Sequence, residues 1–152
     1  MTLQYIDEQL KTQFKILSFD TISNIENRKR VNFKNTENEL QDLYKEVSNL
    51  IIQLFNQNNI LIRLTFWNKQ EYNPKEYNSN TIDILHKKDS IILLLKFNFF
   101  DDQLFNLIKK HLNFELAIAP SLNVTCFMFN FNIRTLLNIY DDRGADFIIY
   151  SD

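Results

Sequence analysis

Apolar residues recur along this chain at two periods, and the switch between them marks its elements. From about Thr36 to Gln57 they fall three and four apart: Leu40, Leu43, Tyr44, Val47, Leu50, Ile51, Leu54 and Phe55. That spacing lines one face of a helix. Thr36 and Glu39 stand at capping-box spacing, where the hydroxyl accepts from a backbone N–H in the first turn and the Glu reaches back to the cap. Glu37, Glu39, Asp42 and Glu46 then give this helix an acidic outer face. A second helix is predicted from Asp102 to Asn113, capped by Asp101. Its inward residues are Leu104, Phe105, Leu107, Ile108 and Leu112, and Lys109, Lys110 and His111 suit its negative C-terminal end. A shorter helix is predicted over roughly Leu3–Gln13.

Between the helices the period drops to two. Ile60–Trp67 places Ile60, Ile62, Leu64 and Phe66 on one face, with Arg63 and Thr65 on the other, which predicts a half-buried strand. Ser90–Phe99 begins apolar on both faces and reads as a central strand. Asn123–Ile133 sets Phe127, Phe129, Phe131 and Ile133 against Cys126 and Met128, so both of its faces are covered. Leu136–Asp141 and Ala145–Tyr150 form a hairpin, and Phe14–Phe19 adds an edge strand. No repeat or linker interrupts the order. It predicts one α+β domain over residues 1–152, a mostly antiparallel sheet of about five to six strands with two to three helices packed on one face.

The chain has one glycine, Gly144, where an average composition is about 7% glycine. In Asp141-Asp142-Arg143-Gly144 it fits a type I turn followed by a bulge. There the Asp141 carboxylate accepts from a backbone N–H two residues on, and the glycine takes a positive φ. The 14 Phe and 6 Tyr supply large buried areas for one core. A net charge of −2 offers no basic footprint for nucleic acid. The single cysteine cannot form an internal disulfide, no apolar run approaches a membrane span, and the first residues lack a leader pattern. A cytoplasmic monomer without membrane contact is the default expectation.

Ala119-Pro120-Ser121-Leu122, an aromatic strand, and then Asn138-Ile139-Tyr140-Asp141-Asp142-Arg143-Gly144-Ala145-Asp146 resemble the C-terminal end of an uncharacterised bacterial domain family with a Tyr-Asp-Asp-Arg-Gly-x-Asp hairpin. The resemblance implies no catalytic residues. It implies an immunity protein of the polymorphic-toxin type, one that binds a cognate bacterial toxin domain, by expectation a nuclease, and occludes its active site.

Catalytic chemistry finds little footing. One glycine cannot build a nucleotide-binding loop. His86 and His111 have no ligand spacing; they read as a surface residue and a helix-terminal cation, and no cofactor or metal is expected. Cys126 sits mid-strand, where a structural thiol is expected. Three carboxylates, Asp141, Asp142 and Asp146, leave an enzyme as one alternative, and a non-catalytic protein- or ligand-binding module is another. Candidate partner-binding residues are the turn charges Asp142, Arg143 and Asp146, the acidic helix face, and Trp67, Tyr72 and Tyr77. These aromatics flank or lie within Asn68–Asn80, the longest polar segment, which reads as a loop.

Overall fold

The computed structural model describes residues 1–20, 25–33 and 40–150. Among them are four α-helices: α1 (Leu3–Phe14), α2 (Leu40–Phe55), the short α3 (Pro74–Tyr77) and α4 (Asp102–Glu115). Seven strands complete the order: β1 (Lys29–Asn32), β2 (Ile60–Phe66), β3 (Thr81–His86), β4 (Ile91–Phe97), β5 (Val124–Asn130), β6 (Thr135–Asp141) and β7 (Gly144–Ile149). They form one sheet in the order β1-β7-β6-β5-β2-β4-β3, and every neighbouring pair is antiparallel. The α+β class and the antiparallel sheet agree with the sequence pattern. Both element counts exceed the expectation. No helix among the described residues is long and apolar enough to cross a membrane.

The helices occupy both faces of the sheet, not one. Leu43, Val47, Ile51 and Phe55 of α2 and Leu104, Ile108 and Leu112 of α4 pack on Ile62, Leu64, Leu93, Leu95, Met128 and Leu137. Leu3, Ile6, Leu10 and Phe14 of α1 pack on the alternate residues Leu61, Leu94, Phe127, Phe129, Leu136 and Ile148. Period-2 alternation sends neighbouring residues to opposite faces, so the central strands feed two cores. All of β2 is therefore buried, Arg63 and Thr65 included.

Other expectations shift for local reasons. Phe14 does not begin an edge strand; it ends α1, and Lys15 closes that helix in the left-handed region at φ 59°. The edges are β1 and β3, whose short and mixed sequences carry weak alternation. Residues 68–80 are not a plain loop. Asn68 and Asn73 accept from the N–H groups of Gln70 and Lys75, capping a 3-10 turn (Lys69–Glu71) and α3. The capping pair expected at Thr36 and Glu39, together with Glu37, lies outside the described residues.

Candidate functional site

The hairpin turn closes as its first residue dictates. Asp141 pairs with Gly144 across the ladder, and the Asp141 carboxylate accepts the Arg143 N–H at 2.7 Å. The same carboxylate takes the Arg143 guanidinium at 2.9 and 2.6 Å. Gly144, however, does not have a positive φ. Its hydrogen is required by space: a Cβ there would collide with the Tyr140 hydroxyl and lie 2.5 Å from the backbone oxygen of Val31.

The turn charges are not one network. Asp146 is wholly buried on β7, opposite its register partner Arg30, which donates to it at 2.9 and 3.2 Å; Arg28 stands 3.8 Å away. Hydrogen bonding and charge from Asp146 raise the Arg30 pKa, and Asp141 does the same for Arg143. Asp142 is 6% exposed. Arg143 alone of the three turn candidates projects into solvent. Asp141 and Asp146 are thus occupied by arginines, and no group of His, Cys, Asp and Glu among the described residues could hold a metal ion.

His111 is not the helix-terminal cation that its place in the sequence predicts. It is buried, its ring nitrogen Nε2 stands 2.6 Å from the Ile139 carbonyl, and burial lowers its pKa. The protonated Nε2–H of the neutral ring donates to that oxygen. Cys126 is buried as expected, and burial pushes its thiol up to about 12. Tyr72 and Tyr77 stack at 6.1 Å and pack against Phe66, each 5.6 Å away. Tyr77 is buried, and burial raises its pKa, so it belongs to the core and not to a contact surface. Asp42 and Glu46 lie on the outer side of α2, lining a shallow depression with Lys45 between them.

Trp67 is the one aromatic candidate left exposed, at 45%. Its indole Nε1–H donates to Thr125 Oγ1 at 2.9 Å, which fixes the ring. It lines an open cleft of about 480 Å³ on the α1 face of the sheet. The registers explain the lining. One row across the sheet runs Arg30, Asp146, Asn138, Phe127, Arg63, Leu94 and Asp83. The adjoining row runs Thr125, Thr65, Ile92 and Leu85. Arg63, Thr65 and Ile92 floor the cleft with Ser90, while Phe19, Asp20 and the β3–β4 turn residues Lys87, Lys88 and Asp89 surround it.

Arg63 is 4% exposed and clamped from several sides. Its Nε and Nη2 donate to Asp7 of α1 at 2.8 and 3.3 Å, and its Nη1 donates to Thr65 at 3.2 Å. The Phe19 ring covers its guanidinium at 4.0 Å and meets Phe127 edge-on. The sequence did carry a signal for this floor. Arg63, Thr65 and Trp67 share one face of an otherwise apolar strand, but the covering residues Asp7, Phe19 and Ser90 come from distant segments.

A family model described as "Domain of unknown function (DUF3885)" matches residues 6–152, so the chain belongs to that family. No curated protein and no solved structure matches it.

Proposed function

We propose that this member of the DUF3885 family is a non-catalytic binding protein that neutralises a cognate bacterial toxin domain by covering its active site. The observation that carries the binding reading is Trp67: a half-exposed indole, locked by Thr125, in the lining of an open cleft. Fixed aromatics lose little entropy on contact and are enriched among the residues that dominate protein interfaces. The occupied carboxylates Asp141 and Asp146 favour binding over the enzymatic alternative. The toxin identity rests on the hairpin resemblance, and the expected acidic patch is reduced to Asp42 and Glu46 among the described residues. Contact therefore shifts from the turn to the Trp67 cleft.

Co-expression with the toxin domain encoded beside the gene tests this. The wild-type chain restores growth and co-elutes with the toxin, and Trp67→Ala, folded by circular dichroism, weakens both. A chain that neither rescues growth nor co-elutes sinks the proposal.

A further inference from the structure

The floor of the Trp67 cleft is rich in donors. Three hydrogen bonds engage Arg63, a side chain with five N–H donors, so two remain. Thr65, 3% exposed, accepts from Arg63, and its own O–H donates to nothing among the described residues. The Ser90 hydroxyl, also on the floor, has no hydrogen-bond partner among them. No carboxylate lies on the floor; Asp7 is turned to Arg63, while Asp20 and Asp89 are exposed at the margin with Lys87 and Lys88. A cation entering would meet the Arg63 guanidinium, with only the hydroxyl oxygens of Thr65 and Ser90 to accept it. An anion with two oxygens would find a guanidinium edge and two hydroxyls, and charge-assisted bonds of this kind are the stronger class.

We propose that this cleft takes a carboxylate side chain from an acidic segment of the partner protein, seated on Arg63, Thr65 and Ser90 beside Trp67. Lys87 and Lys88 are its counter-charges, and Trp67 covers the apolar stem of the entering residue. The assignment rests on the protein-binding reading and adds the chemistry of the partner's contact.

Trp67 is the only tryptophan of the chain, so its fluorescence reports the cleft directly. The full chain is titrated at constant ionic strength with a hexaglutamate peptide, a hexalysine peptide and inorganic phosphate. Hexaglutamate gives a saturable change in Trp67 emission and hexalysine gives none. The double variant Lys87→Glu/Lys88→Glu, both positions exposed and outside the core, weakens the peptide about tenfold with an unchanged melting temperature. Ser90→Ala weakens it further in the same background. A missing response, an equal response to hexalysine, or full binding by the double variant overturns the proposal. So does phosphate binding as tight as the peptide, which would make the site one for a free anion. If the double variant loses the peptide yet still rescues growth, the carboxylate assignment falls and toxin neutralisation stands. If the wild type binds the peptide but rescues nothing, the reverse holds.

Discussion

Gly144 is constrained by a neighbouring strand as much as by its own turn. β1 passes so close to β7 that a methyl at residue 144 would meet the Val31 carbonyl oxygen, which is backbone and cannot rotate away. The Tyr140 hydroxyl, at the end of a flexible ring, is the easier obstacle. Gly144→Ala therefore costs about 2 kcal/mol or more, read from urea unfolding, in the range of overpacked sites. Adding Tyr140→Phe recovers only part of that cost. Full recovery would mean that the backbone contact with Val31 is unimportant and that β1 yields without cost. The same residue shows what a turn motif conceals. Asp141 as the capping acid was legible, because that bond is local. The positive φ was not borne out, because the reason for glycine lies on a strand more than a hundred residues earlier.

At the scale of elements, α1 is fastened to the sheet by two carboxylates from opposite partners. Asp7 on α1 reaches Arg63, and Asp83 on β3 accepts the Leu3 N–H at 2.8 Å at the start of the helix. The Asp83 carboxylate also takes the Ile84 N–H at 2.9 Å, and a bulge interrupts the β3 ladder beside it. An inward-turned charge and a bulge are both devices that protect an edge strand. Asp83→Ala thus removes a helix-terminal bond worth about 1 kcal/mol and bares an edge N–H. The expected result is a lower melting temperature together with concentration-dependent association in sedimentation. A variant that loses stability but stays monomeric at every concentration would refute the edge role. Asp7→Asn leaves a buried guanidinium short of its counter-charge and costs about 2 kcal/mol, given that Asp7 is itself one-quarter exposed. An unchanged urea midpoint would show that water replaces the pair. Elements with strong local periodicity, α1, α2, α4, β2 and β4–β7, were legible because one repeating face suffices to specify them. β1 and β3 were not, since edge strands owe their conformation to a neighbour's ladder. The second apolar face was legible in β4 and β5, but the helix on it was missed for a related reason: Arg63 and Thr65 look like solvent-facing residues until α1 arrives to cover them. The cleft inherits that gap, because Trp67 was visible and its companions were not.

At the scale of the molecule, His111 links acidity to the stability of the larger core. It lies among Leu107, Ile108 and Leu112 on α4 and is hydrogen-bonded to Ile139 of β6, so it bridges the helix layer and the sheet. Burial lowers its folded pKa below the value near 6.5 that it holds when unfolded. The neutral ring is therefore the folded form, and protons bind more readily to the unfolded chain. The resulting stability is fully present above pH 6.5 and is lost as pH falls from there towards the folded pKa, by at most about 1.4 kcal/mol per pH unit. Urea unfolding of the wild type between about pH 7.5 and about pH 5.5 should show the loss. His111→Gln keeps an amide donor for the Ile139 carbonyl but has no titrating ring. It should be less stable at the upper pH and lose much less on acidification. Equal slopes for wild type and variant across that window would mean that His111 is hydrated in the folded state and that the core opens to water there. The difference between the two chains, and not either slope alone, isolates the histidine.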